Sequence, residues 1–184
     1  MSDVTGDATH GARGTAPAAV PPSREALWRI VGTVLDPEVP VLSVVDLGIV
    51  RDIEADDAGV TVTVTPTYSG CPAVQVIERD ILAALAAHGV PDARIRTVFS
   101  PPWTSDWISA DARARLKAYG IAPPGPVPAD DDVLVSLRRR RETTACPFCD
   151  STDTELRSAF GSTACKSIAY CNACRQPFEL FKAI

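Results

Sequence analysis

The sequence predicts an α+β fold in two parts: a small mixed α/β domain, followed by a short unit organised by cysteines. Three observations support this prediction. Helical and strand-like apolar patterns alternate through residues 23–122, a proline-rich stretch follows at 123–130, and five of the six cysteines come after residue 145. The patterns run helix–strand–strand–helix–strand–helix, an order that fits a split βαβ layer with its helices on one face.

The first domain opens with a helix and two strands. Ser23 is predicted to cap the helix, which ends at Asp36 because Pro37 disfavours the α conformation of the residue before it. The apolar positions at helical spacing are Leu27, Ile30, Val31 and Val34. A strand is predicted over 49–54, and the alternation of valine and threonine over 60–65 predicts a second.

A long amphipathic helix, a third strand and a last helix complete the first domain. The long helix starts at Pro72 and ends at Gly89, and its apolar face is Val74, Ile77, Ile81, Leu82 and Leu85. Residues 94–99 are predicted to form the strand. The last helix is predicted over 110–119, with Ser109 as its N-cap.

Composition divides the chain into four segments. Residues 1–22 have almost no large apolar groups and are expected to be disordered. The first domain spans 23–122, and the linker spans 123–141, where a proline-rich, extended part precedes a basic part. Residues 142–184 form the second unit, which is too short to be stable on a hydrophobic core alone.

The charge balance and the apolar pattern exclude several classes of protein. With 18 Lys+Arg against 23 Asp+Glu, the net charge of −5 disfavours a nucleic-acid binder driven by charge. The basic run Arg138–Arg141 is interpreted as a solvated face in preference to a phosphate site. No apolar stretch is long enough to span a membrane and the N-terminus lacks a secretory signal, so a cytoplasmic location is expected. Structural disulfides are rare in that compartment.

Two Cys-x-x-Cys motifs carry the strongest chemical signal. Each folds so that both thiolates point at one ion, and together they complete a tetrahedral shell. The predicted ligands are Cys146, Cys149, Cys171 and Cys174. Their spacing leaves room for a β-hairpin, the layout of a zinc ribbon, and the aromatic residues available to cover it are Tyr170, Phe178 and Phe181. Structural zinc is favoured over an iron–sulfur cluster and over a redox dithiol.

Cys165 lies between the two motifs and has two interpretations. Free cysteine is often buried as a small apolar residue, and this interpretation is favoured. The alternative is an accessory thiol whose pKa is lowered by its neighbour Lys166, able to exchange metal or replace a ligand.

Cys71 stands alone between a strand and the long helix. With Pro72 as the first helical residue, Cys71 would be the N-cap, where backbone N–H groups and the helix dipole favour a thiolate. Such a thiolate suits a transient metal or cluster site, whereas the alternative is a packed cysteine in a tight turn. Asp36, Glu38 and Asp46 lie in the loops before the sheet. They can coordinate a hard metal, although capping of their own turns is the commoner role.

Several of these motifs resemble known families. Asp36-Pro37-Glu38, Asp46-Leu47-Gly48 and the segment from Thr65 to Pro72 resemble the domain of SufT-type iron–sulfur assembly factors. The two Cys-x-x-Cys motifs, with the segments 160–166 and 177–182, resemble the zinc ribbon of the PaaD family. That family provides the D component of the multicomponent phenylacetyl-CoA 1,2-epoxidase.

The resemblance implies an accessory role in aerobic phenylacetate degradation, beside a di-iron oxygenase subunit and a flavin/iron–sulfur reductase. It implies structural zinc in the ribbon and a maturation role toward a metal centre. Our hypothesis for that role is that the turn at Cys71, with Asp36 and Asp46 nearby, holds iron or a cluster transiently or contacts a client that does. The sequence has no Glu-x-x-His motif and no glycine-rich nucleotide fingerprint, so it is not expected to activate oxygen or transfer hydride itself. The alternatives are a structural oxygenase subunit, a ribbon that binds nucleic acid, and a thiol oxidoreductase.

Overall fold

The computed structural model describes residues 22–68, 70–125 and 144–184. The predicted disordered tail, apart from Pro22, lies outside these residues, as do most of the linker and the basic run Arg138–Arg141. Within the described ranges, no helix combines the length and the apolar character needed to cross a membrane.

The first domain has the predicted order of helices and strands. Its elements are α1 (Arg24–Val31), β1 (Val50–Asp56), β2 (Gly59–Val64), α2 (Ala73–Ala87), β3 (Arg94–Thr97), a 3₁₀ turn (Ser105–Trp107) and α3 (Ala110–Tyr119). Local signals set the starts of α1 and α3 as predicted, whereas α1 ends at Val31, where Gly32 is the C-cap, and not at Asp36. The Ser23 hydroxyl accepts the Ala26 N–H at 3.2 Å, and the Ser109 hydroxyl accepts the Ala112 N–H at 3.1 Å.

The sheet of the first domain has the strand order β1-β2-β3. β1 and β2 pair antiparallel, whereas β2 and β3 are parallel and are connected through α2. Valines of β2 and the apolar faces of α1 and α2 form one buried core. The mixed α/β layer expected from the sequence is therefore present, with the turn that carries Cys71 between β2 and α2.

The second unit, called the ribbon here, is a sheet that includes a piece of the first domain. Its strands are β4 (Ile121–Ala122), β5 (Thr154–Ser158), β6 (Lys166–Cys171) and β7 (Pro177–Phe181), in the order β4-β7-β6-β5. The hairpins β5–β6 and β6–β7 are antiparallel, and β4 pairs parallel with β7. The predicted first domain thus ends in a strand that belongs to the ribbon sheet, which local patterns did not indicate.

Side chains of the ribbon also enter the core of the first domain. Phe181 is 1% exposed, and its ring centroid lies 6.1 Å from that of Trp103. Cys165 joins the same core. Phe178, in contrast, packs in a small cluster with the buried cysteines Cys146 and Cys171. Only one of these two phenylalanines therefore covers the cysteine site, and the other attaches the ribbon to the first domain.

Candidate functional site

The two Cys-x-x-Cys motifs form matching turns at one end of the ribbon. The first motif precedes β5, and the second begins at the last residue of β6. The residue after each motif has a positive φ, 60° at Asp150 and 61° at Arg175. Their N–H groups donate to the carbonyls of Cys146 at 3.0 Å and Cys171 at 2.9 Å. Left-handed backbone at residues other than glycine is uncommon, so its recurrence at both turns marks a specific turn geometry.

The four sulfurs of these motifs meet at one point. All four lie within 4.8 Å of one another. The Cys146 and Cys174 sulfurs are 3.7 Å apart, and the Cys149 and Cys171 sulfurs are 3.6 Å apart. Zinc bonded to sulfur at about 2.3 Å in a tetrahedron separates its ligands by about 3.8 Å. The separations also exceed the roughly 2.05 Å of a disulfide, and all six cysteines are free thiols.

The backbone around the second motif favours thiolate at Cys171. The N–H group of Cys174 and the neighbouring thiols of Cys174 and Cys149 lower the pKa of the Cys171 thiol to about 7, while burial and the surrounding thiols raise the pKa of Cys174 to about 12. Metals bind the thiolate form of cysteine, so this turn prepares one ligand for binding. The all-sulfur donor set and its tetrahedral spacing fit a soft ion such as zinc.

A second group of functional side chains lines a cavity between the first domain and the ribbon. Its polar lining comprises Asp36, Glu38, Thr67, Cys71, Glu78 and Cys165, and Phe181 forms part of its apolar lining. The space open to the centre of a water-sized sphere is about 20 Å³. Cys71 and Cys165, which are 94 positions apart in the sequence, thus face one small space.

Cys71 lies one residue farther from α2 than predicted. The helix begins at Ala73 with Pro72 in the cap position, so the prediction that Cys71 is the N-cap is wrong. Burial raises the pKa of the Cys71 thiol, and the N–H group of Ala73 only partly opposes it. The carboxylates of Glu38 and Asp36 raise that pKa further. The expected shift toward thiolate is therefore reversed by the surroundings of the helix start.

Cys165 is buried, which agrees with the interpretation favoured from the sequence, and it also lines the cavity. Its sulfur is 3.5 Å from Oε2 of Glu38 and 3.1 Å from the Thr163 hydroxyl. Burial, aided by the Glu38 carboxylate, raises the pKa of this thiol to about 11. The Lys166 ammonium group binds the Glu179 carboxylate at 2.9 Å and the Glu38 carbonyl at 3.4 Å. The suggestion that Lys166 lowers the pKa of Cys165 is therefore wrong.

The two aspartates singled out in the sequence have different positions. Asp36 lines the cavity, and its Oδ1 accepts the N–H groups of Glu38 and Val39, both at 2.8 Å. Asp46 is not among the residues that line the cavity. Its carboxylate accepts the N–H and hydroxyl of Ser43 at 2.8 and 2.7 Å and pairs with Arg115 at 2.6 Å. The structure therefore brings Asp36, but not Asp46, to Cys71.

Glu38 is the cavity residue whose position the sequence did not predict. The sequence predicts a loop carboxylate here, suited to a hard metal or to capping of its own turn, and gives no sign of a contact with Cys165. The available local signal was the Asp-Pro-Glu turn, in which the Asp36 cap holds the following backbone in place. The contact with Cys165 joins residues 127 positions apart and has no local signature.

Comparison with known proteins finds two families, which match different parts of the chain. The family described as "Iron-sulfur cluster assembly protein" matches residues 24–98. The family described as "PaaD zinc beta ribbon domain" matches residues 130–182.

Three similar proteins illustrate these matches. The crystal structure of a domain of unknown function, DUF59, from Bacillus anthracis is 30% identical, with a TM-score of 0.48, and covers 50% of this chain and 90% of its own. The "Fe-S protein maturation auxiliary factor YitW" of Bacillus subtilis (strain 168) is 37% identical over 50% of this chain and 92% of its own length. The D component of the "Putative 1,2-phenylacetyl-CoA epoxidase" of Escherichia coli (strain K12) is 40% identical over 89% of this chain and 95% of its own length. Since that last match runs through both the assembly domain and the ribbon, the chain belongs to the PaaD family.

Proposed function

We propose that this chain is a non-catalytic accessory component of the phenylacetyl-CoA 1,2-epoxidase system that aids maturation of a metal centre or iron–sulfur cluster. The observation that carries the proposal is the cavity at Cys71, where a thiol and the Asp36 carboxylate line one small space in a domain of the iron–sulfur assembly family. The relatives support both parts, because one is a component of the epoxidase and others are Fe–S maturation auxiliary factors. The clients would be the di-iron oxygenase subunit and the reductase.

The cavity chemistry suits reversible holding of iron as cargo. The Ala73 N–H and the Thr67 hydroxyl favour the anion at the Cys71 sulfur, while burial and the nearby carboxylates favour the neutral thiol. A bound cation offsets those carboxylates and displaces the thiol proton, and its departure restores the neutral thiol. Tight, permanent binding is thereby disfavoured, which is the property a delivery site requires.

The ribbon is proposed to be a docking module stabilised by structural zinc. Its four cysteines would hold the ion, which supplies a cross-link between the two turns. The separate core of the ribbon is small, so metal binding would contribute much of the folding free energy of this unit. Docking through Phe181 then fixes the ribbon against the cavity.

The decisive test is Cys71→Ser in cells that depend on the epoxidase. We expect loss of epoxidase activity and of iron in the purified oxygenase or reductase, with the circular dichroism of the variant unchanged. Gln75→Ala is a matched control, because Gln75 is exposed on α2 and does not line the cavity. Full activity and normal iron content in Cys71→Ser would overturn the maturation role.

A structural role without metal transfer is the second candidate, favoured because the Escherichia coli relative is described as a component of the epoxidase itself. Such a component would co-purify with the oxygenase at fixed stoichiometry. Cys71→Ser would then leave both the complex and its activity unchanged, so the same variant separates the two functions.

A further inference from the structure

The ribbon forms one wall of the cavity that contains Cys71. Phe181 and Cys165 line this cavity from the ribbon, and both side chains are buried. The ammonium group of Lys166, the next residue in the sequence, reaches the Glu38 carbonyl of the first domain at 3.4 Å. Cys71 itself is only half-buried, so removal of the ribbon wall would open its thiol to solvent.

The four-cysteine site is attached to the first domain at the end of α3. Phe148, between the two cysteines of the first motif, packs against Gly120, where an added Cβ would lie 3.1 Å from the phenylalanine ring. Asp150, directly after the same motif, forms an ion pair with Lys117 of α3. Both contacts depend on the shape of the metal-binding turn, because that turn positions the two side chains.

The short strand β4 connects this attachment to the cavity wall. Ile121 lies in the core of the first domain. Its neighbour Ala122 packs with Cys146 and Cys171 in the core of the ribbon. β4 also pairs with β7, which ends at Phe181. A continuous series of contacts therefore runs from the four-cysteine site through α3, β4 and β7 to the cavity.

This arrangement depends on the integrity of the ribbon sheet. The first domain offers β7 only the two residues of β4 as a pairing partner, and its other neighbour is β6. Two of the buried residues in the separate ribbon core, Cys146 and Cys171, belong to the four-cysteine site. An ion there would join the two turns and supply folding free energy that this small core lacks.

We propose that metal occupancy of the four-cysteine site controls access to the Cys71 thiol. With the ion bound, the ribbon stays docked, and Phe181 and Cys165 cover one side of the cavity. Without the ion, the ribbon detaches and Cys71 is exposed to solvent and to other proteins. This inference rests on the proposed function and deepens it, because the ribbon metal would determine when Cys71 can exchange its cargo.

Alkylation of Cys71 by iodoacetamide in the full chain tests this coupling. Cys71 is the only cysteine before residue 146, so mass spectrometry of its peptide follows this thiol separately from the ribbon cysteines. The rate is compared anaerobically between the chain loaded with one equivalent of zinc and the chain freed of zinc by a chelator. Cys71 should react about tenfold faster or more without zinc, because the reagent no longer waits for local opening of the docked ribbon. Detachment would also relieve the burial that raises the pKa of this thiol.

A variant at the cavity wall separates docking from metal binding. Phe181→Ala should retain one equivalent of zinc, yet its Cys71 should react about as fast with zinc as without it, since the wall is lost in both states. Phe160→Ala is the matched control, because Phe160 is exposed on the same ribbon and does not line the cavity. This control should keep the zinc dependence of the unmodified chain.

The outcomes separate this inference from the proposed function. Equal Cys71 rates with and without zinc in the unmodified chain would overturn the inference, and this comparison decides the question even if Phe181→Ala does not fold. Full protection of Cys71 in folded, zinc-loaded Phe181→Ala would overturn it as well. Neither result touches the maturation role, which Cys71→Ser tests in cells.

Circular dichroism distinguishes detachment of the ribbon from unfolding of the first domain. Within the described part of the chain, every helix belongs to the first domain. The helical signal should therefore survive removal of zinc. Its loss would overturn the inference, because Cys71 would then be exposed by unfolding and not by release of the ribbon.

Discussion

Replacing Phe181 with alanine should detach the ribbon from the first domain. The side chain is 1% exposed and packs in the core of the first domain, with its ring centroid 6.1 Å from that of Trp103. Truncation of a fully buried phenylalanine costs about 3–5 kcal/mol, of which an aromatic pair accounts for about 0.5–1.5 kcal/mol. Domains are stable by only about 5–15 kcal/mol, so the change would remove a large part of the free energy of unfolding.

Urea unfolding of the zinc-loaded chain, followed by tryptophan fluorescence, measures this cost. Phe160→Ala is the matched control, since Phe160 lies on the same ribbon but is 75% exposed, and its removal should change the free energy of unfolding by less than about 0.5 kcal/mol. The Cys165 thiol should also react faster with a thiol reagent in Phe181→Ala. Equal urea midpoints for the two variants would refute the inference that Phe181 holds the ribbon in place.

Two further perturbations test the ribbon and a loop of the first domain. Cys174→Ser should release one equivalent of metal and expose residues 144–184 to protease, as measured by metal analysis and limited proteolysis; a ribbon that stays protected would contradict structural metal. Asp46→Asn should cost about 1 kcal/mol at pH 7, a modest value because its partner Arg115 is partly exposed. Burial raises the pKa of Asp46, but the Arg115 guanidinium and Ser43 outweigh burial and hold that pKa below its usual value. The stabilisation by Asp46 is therefore fully present above the unfolded pKa of about 3.9, and it is lost as the pH falls through the folded pKa. If the urea midpoints of Asp46→Asn and the unmodified chain differed by the same amount at pH 7 and at pH 2, this role of the Asp46 carboxylate would be contradicted.

The features that the sequence predicted are those fixed by short stretches of chain. Ser23 and Ser109 cap their helices through bonds that span three residues, and Gly120 ends α3 with a φ of 92°. The Cys-x-x-Cys turns are equally local, because each closes on itself through a bond from the residue that follows. The pairing of the two turns needed only a hairpin between them, which their spacing allowed.

The features that the sequence did not predict depend on contacts across the whole chain. Cys165 meets Glu38 only because β4 pairs with β7 and Phe181 enters the core of the first domain. The pKa of Cys71 is raised, against the sequence-based expectation, for the same reason. A helix start favours thiolate, but burial and carboxylates from a loop more than 30 residues earlier in the sequence outweigh it.

One strand connects the two candidate metal sites. Cys165 directly precedes β6 at the cavity, and Cys171 ends β6 at the ribbon site. Six residues of extended chain span about 20 Å, well beyond the roughly 8 Å over which charges interact at physiological salt. An ion bound by the four ribbon cysteines would therefore influence the cavity mainly through the backbone: it would fix one end of β6, and the pairing of Lys166 with Phe181 fixes the other. The same pairing keeps Cys165 at the cavity while the four Cys-x-x-Cys sulfurs lie at the opposite end of β6.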